Sequence, residues 1–83
     1  MSAEPGPEPA LVVDCTGMRC PRPIIELSKR FGEIEIGQVI GVVADDPAAR
    51  ADVPAWCRMR DQEYAGERPA TDDAALYLVR RIS

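Results

Sequence analysis

The chain has 83 residues, 46% of them hydrophobic and 29% charged; that is material for one small core, not two, and the balance excludes a wholly disordered chain. Its longest apolar run, residues 39–44, is six residues long, far short of the roughly 20 that a bilayer-spanning helix needs. A net charge of −4, from 10 basic and 14 acidic side chains, with an aromatic content of 5%, argues against general nucleic-acid binding, which wants a basic face and stacking rings.

Residues 1–10, MSAEPGPEPA, carry two Glu and three Pro without a basic start or an apolar stretch, and so read as a disordered acidic Pro-rich tail rather than a secretory signal. Residues 11–83 are then the folded domain. At this size only about 60% of the unfolded surface is buried on folding, which leaves little room for an enclosed active site.

Leu11, Val13 and Cys15 alternate onto one face of a short β-branched run, which predicts a first strand followed by a turn at Thr16-Gly17. From Cys20 onward, Ile24, Leu27 and Phe31 recur at i, i+3 and i+7, giving a helix with one apolar stripe and Gly32 placed to end it. Glu26 and Arg30 stand at i, i+4, and Lys29 and Arg30 suit the negative end of the helix dipole. Residues 38–44 are apolar on both faces, as a central strand should be. Asp46 then reads as the N-cap of a second helix with Pro47 at its first position, and Ala49, Val53, Trp56 and Cys57 as its buried stripe. Pro54 requires either a kink or a later start near Asp52. A short strand at 62–65, a loop at 66–73 and a last strand at 75–82 complete the chain. The order β-α-β-α-β-β predicts an α+β, two-layer sandwich, a four-stranded mixed sheet with two helices on one face, without internal repeats.

Three cysteines, Cys15, Cys20 and Cys57, are an odd number, best read as thiols in a reducing cytoplasm rather than a disulfide framework. The chain has no His, which removes the usual general base and the commonest zinc ligand, and cysteines spaced five and 37 apart make no metal site. No bound cofactor is expected either. Asp45-Asp46 and Asp72-Asp73 read as a cap and a loop.

Chemistry concentrates at Cys20-Pro21-Arg22-Pro23. A residue before proline avoids α geometry, so Cys20 belongs at or just outside the N-cap of the first helix, with its sulfur over the positive end of the dipole. Residues 15–30 hold four cations (Arg19, Arg22, Lys29, Arg30) against one anion, Glu26. Arg19 and Arg22 should therefore favour the thiolate or steer an acidic partner, or else are simply solvated surface. Pro21 and Pro23 remove two of the free N–H groups of an ordinary helix start and leave the Arg22 N–H as the main inner donor, while their locked φ angles present the sulfur rigidly. An exposed, rigid thiol without a base or a deep pocket suits a group that carries cargo, and sulfur held as a persulfide needs one nucleophilic thiolate that two proteins reach in turn. Cys15 faces inward as an inert thiol or, alternatively, closes on Cys20 as a second redox thiol; Cys57 belongs to the core.

The run Asp14-Cys15-Thr16-Gly17-Met18-Arg19-Cys20-Pro21-Arg22-Pro23 resembles the signature of the TusA (SirA-like) family of sulfur carriers: an Asp, a Gly, then a Cys-Pro-x-Pro box. The likeness continues through Gly37-Gln38, Asp45-Asp46-Pro47 and residues 52–57. It implies the β-α-β-α-β-β fold and a persulfide on Cys20, with Gly17, Pro21 and Pro23 shaping the site. It also implies a cysteine desulfurase or rhodanese-type donor and a downstream acceptor protein in tRNA thiolation, molybdenum-cofactor assembly or sulfur oxidation. Family members commonly carry Gly-His after the second helix, where this chain has Asp61-Gln62. Because some members are named for regulation, a non-catalytic interaction module of the same fold is the alternative. In either role the chain is expected to be a monomer that binds neither nucleic acid nor membrane.

Overall fold

The computed structural model describes residues 8–83. In chain order these form β1 (Leu11–Asp14), α1 (Arg22–Arg30), a 3-10 turn (Phe31–Glu33), β2 (Val39–Ala44), α2 (Ala49–Arg60), β3 (Glu63–Pro69) and β4 (Ala75–Arg80). The strands lie in the order β1-β2-β4-β3. β1 and β2 run parallel, as the helical connection between them requires, and β4 is antiparallel to both its neighbours. This is the expected α+β architecture, a mixed four-stranded sheet with both helices packed on one face.

Strand alternation sorts the side chains of the two central strands. Ile40, Val42, Tyr77 and Val79 face the helices and close on Leu27, Phe31, Val53, Trp56 and Cys57. Val39 meets Leu76 and Leu78 on the opposite face, which is why β2 reads as apolar throughout. On that face an added Cβ at Gly41 would lie 2.7 Å from the end of the Leu76 side chain, so a larger residue there would make Leu76 shift. Of the expected tail, residues 1–7 lie outside the described residues, whereas the Ala10 N–H donates to the Val39 carbonyl at 2.7 Å.

Both helices depart in detail from expectation. The α1 stripe is buried at Leu27 and Phe31, but Glu26 pairs with Lys29 (3.5 Å) and Arg30 with Glu33 (2.6 Å), so the anticipated Glu26–Arg30 pair is absent among the described ion pairs. The chain tightens into the 3-10 turn after Arg30, which brings Glu33 under the guanidinium; Gly32 lies inside that turn and does not cap the helix. The predicted apolar positions of α2, Ala49, Val53, Trp56 and Cys57, are all buried. Asp46 caps the turn ahead of α2 through the Ala48 N–H (3.1 Å), but Pro47 lies in that turn, where successive i→i−3 bonds precede the α pattern, and not at the first helical position. Pro54 sits inside a continuous helix, which rules out a later start near Asp52. The lost hydrogen bond and clash, about 3 kcal/mol, are offset by burial of Val53, Trp56 and Cys57 on either side, at about 1.5–3 kcal/mol for each large apolar side chain.

β3 is longer than expected. It continues through Gly66, whose φ of +107° carries a bulge between Tyr64 and Gly66, and the loop shrinks to the segment after Pro69. The polar stretch Glu67-Arg68-Pro69 looked like loop because β3 is an edge strand with one ladder partner.

Asp61 ends α2 in the left-handed region, φ +57°. Gln62 then ties the C-terminus down, its side-chain oxygen accepting from the Ile82 N–H at 2.8 Å. Because glycine takes this geometry without the Cβ penalty of roughly 1–2 kcal/mol, Asp61→Gly is expected to stabilise the fold by about 0.5–1 kcal/mol after its unfolded-state entropy is subtracted. In thermal denaturation that is a rise of roughly 2–8 °C in Tm.

Candidate functional site

The segment joining β1 to α1 is bound by carboxylates at each step. Asp14 accepts from the Thr16 N–H (3.0 Å) and hydroxyl (2.6 Å), which holds its carboxyl below the usual carboxylate range. Gly17, at φ +83°, turns the chain and donates its N–H to Asp45 Oδ1 at 3.0 Å. Three residues on, the Cys20 N–H donates to Asp46 Oδ2 at 2.8 Å. Asp46 thus clips the loop to the start of α2, and the backbone donors of Cys20 and Ala48 pull its pKa down. Asp45-Asp46, expected as a cap, also anchors the cysteine loop.

Cys20 is exposed, while Cys15 and Cys57 are buried, at 0% and 2% of their accessible surface. The Cys20–Pro21 peptide is cis, Pro21 is the N-cap of α1 and Pro23 lies in its first turn. Cys20 therefore stands just outside the cap. The expected anion site does not form there. The Arg22 N–H donates to the Arg19 carbonyl (2.8 Å), those of Ile24 and Ile25 to the Pro21 carbonyl (3.1 and 3.0 Å), and the two prolines have none, so no backbone donor of this turn is free for the sulfur.

The charges around the sulfur also reverse expectation. The nearby Asp52 carboxylate, as an acceptor for the thiol proton, together with desolvation and the negative charges of Asp52 and Asp46, pushes its pKa above the ordinary thiol value. Neither Arg19 nor Arg22 contributes to that shift: Arg19 acts on Asp46, and Arg22 on Cys15. At Cys15, burial, Glu26 and Asp14 all raise the pKa against Arg22, and burial pushes Cys57 up to about 11. One accessible thiol per native chain is therefore expected to react with a disulfide reagent, against all three in denaturant; two reacting thiols in the native protein would contradict this burial.

Cys20, Pro21 and Ile24 form one wall of a shallow cleft of about 260 Å³ between the helices; Asp52, Ala55, Trp56 and Met59 form the other. The volume falls below the roughly 300–1,000 Å³ of small-molecule sites and suits an inserted side chain. A larger cleft of about 510 Å³ lies between the start of α2 and the β3–β4 loop, away from Cys20. Asp52, Ala55 and Met59 as site residues were not anticipated from sequence, although their spacing of i, i+3 and i+7 puts a carboxylate and apolar side chains on one helix face.

The family described as Sulfurtransferase TusA matches residues 11–81. A protein of Archaeoglobus fulgidus, named as a candidate sulfur carrier, is 39% identical over 70 residues, covering 84% of this chain and 90% of its own. The sulfur carrier protein TusA of Pseudomonas entomophila is 36% identical over 66 residues, covering 80% and 79%. A crystal structure of a SirA-like protein from Desulfitobacterium hafniense superposes with a TM-score of 0.75 over 88% of this chain and 99% of that one, at 19% identity, a likeness of fold.

Proposed function

Because this chain belongs to the TusA sulfurtransferase family, we propose that it is a sulfur carrier and that Cys20 holds the cargo as a persulfide. The observation that supports this most is the exposure of Cys20 on a loop pinned to Asp45 and Asp46 while both other thiols are buried. In loading, the Cys20 sulfur attacks the outer sulfur of a persulfide on a cysteine desulfurase or rhodanese-type donor. The donor S–S bond breaks, its electron pair leaves with the donor cysteine, and Cys20 becomes the persulfide. Delivery repeats the exchange, with an acceptor thiolate attacking the outer sulfur on Cys20.

Gly17, Pro21 and Pro23 hold the loop in shape. The exposed Arg19 and Arg22 are placed to steer an acidic partner. The exposed Met59, which lines the cleft with Cys20, offers apolar contact beside the cysteine, so donor and acceptor compete for one surface, and a monomer keeps it open. No helix of the described residues is long and apolar enough to cross a membrane; together with free thiols, a cytoplasmic setting is part of the proposal. Sulfur then leaves toward tRNA thiolation, molybdenum-cofactor assembly or sulfur oxidation.

Incubation with a cysteine desulfurase and cysteine, followed by intact-mass measurement, tests the assignment. A gain of about 32 Da, one sulfur atom, that a thiol reductant removes is the expected result. An unchanged mass with the desulfurase and with a rhodanese plus thiosulfate overturns it.

A further inference from the structure

Asp52 projects from the first turn of α2 into the cleft that Cys20 borders from the α1 side. A first-turn aspartate ordinarily serves the helix dipole, worth about 0.3–1 kcal/mol, and often pairs with a cation. Among the described residues Asp52 takes part in no ion pair, and no side chain caps α2. Asp52 instead faces Cys20 across the cleft, whose remaining lining, Pro21, Ile24, Ala55, Trp56 and Met59, is apolar. A half-buried carboxylate that shares a cleft of mostly apolar lining with the reacting sulfur, in a chain without His, has the placement of a general base.

We propose that Asp52 is the proton carrier of the sulfur exchange. The assignment rests on the reading of Cys20 as the cargo site. As the Cys20 sulfur attacks the donor's outer sulfur, its proton passes to the Asp52 carboxylate. When the donor S–S bond breaks, the same proton passes from Asp52 to the departing donor cysteine. Cys20–SH and the donor persulfide become the Cys20 persulfide and the donor thiol, with the proton count unchanged and no external oxidant or reductant.

Docking supplies the trigger. In the free protein the carboxylates beside Cys20 raise the pKa of its thiol and so slow it towards stray electrophiles. A partner side chain seated in the cleft excludes solvent from the two facing groups and brings the donor sulfur up to Cys20, so that the proton moves as the sulfur attacks. The carrier is thereby quiet alone and reactive in complex.

Asp52→Asn separates this role from a purely electrostatic one, because two rates move in opposite directions. Loss of the negative charge lowers the pKa of Cys20, so alkylation by iodoacetamide at neutral pH should speed up several-fold and its pH profile shift to lower pH. Loading from the persulfidated desulfurase should slow by about 100-fold or more, the range of general acid–base catalysis, and Asp52→Glu should restore most of it. Alkylation and loading that both accelerate would make Asp52 only a brake on the thiolate, and a variant unchanged in both would make it only a helix-start residue; either result overturns the proposal. A wild-type protein that gains no mass sinks the carrier reading itself, and the alkylation profiles then still report whether Asp52 governs the thiol.

Discussion

Replacing Cys20 by serine is expected to reduce sulfur loading from one atom per chain to none while leaving the fold intact. A serine hydroxyl is too weakly acidic to attack a sulfane sulfur, and no oxygen counterpart of the persulfide forms. The structural contribution of the residue survives, because its N–H, not its sulfur, holds Asp46 at 2.8 Å; at an exposed position the change in stability should stay within about 0.5 kcal/mol. The buried Cys15 and Cys57 cannot take over, so Cys15→Ser and Cys57→Ser should load normally. Intact mass after desulfurase treatment checks all three variants, with thermal denaturation beside it. A gain of about 32 Da in Cys20→Ser would move the cargo to another thiol. If the variant keeps both partner binding and the cellular phenotype, the chain is instead an interaction module. A redox dithiol would show itself in wild type as a mass loss of two hydrogens on mild oxidation, abolished by Cys15→Ser.

The largest loss of stability is expected at Trp56, which joins the two helices. It is 2% exposed, packs edge-on to Phe31 at 5.0 Å and 72°, donates its indole N–H to the Ser28 hydroxyl at 2.8 Å and carries the Arg60 guanidinium 5.2 Å above its ring. Trp56→Ala should cost about 3–5 kcal/mol, the usual range for emptying a large aromatic site. A chain of this length is stable by only about 4–12 kcal/mol. Urea titration should therefore show the variant close to the threshold of folding, with Tm lower by roughly 15 °C or more. Trp56→Phe, which keeps most of the ring and loses the Ser28 bond, should cost less. Because Trp56 also walls the cleft beside Cys20, sulfur loading by the alanine variant should fall well below its melting temperature. Wild-type stability in Trp56→Ala would mean that the helices are held together elsewhere.

Much of the architecture is local information. Period-two alternation at Leu11, Val13 and Cys15 and helical spacing at Val53, Trp56 and Cys57 each identify an element and its buried face, because one face of each must leave water whatever its neighbours are. Details that rest on non-local partners escaped such reading. Gly66 looks like a loop residue until β4 lies beside it and turns its positive φ into a bulge. Pro54 looks like a helix boundary until buried neighbours on both sides outweigh its defect. Asp61 keeps a left-handed turn that glycine would have announced more plainly, though aspartate tolerates it better than most residues.

By its sequence alone this protein determined the order of its strands and helices, the residues of its core and the position of Cys20 at or just outside the cap of the first helix, since each follows from spacing along the chain and from the geometry that proline permits. The tertiary structure alone decided the chemistry around that sulfur. The neighbours of Cys20 in sequence are cations, but its partners in space are Asp46 and Asp52 from the start of α2, because packing α2 beside α1 brings the carboxylates in while the neighbouring arginine N–H is spent within its own turn. Coulomb attraction and hydrogen bonding act over a few ångströms of space, and twenty or more residues of chain separation count for nothing once the helices meet.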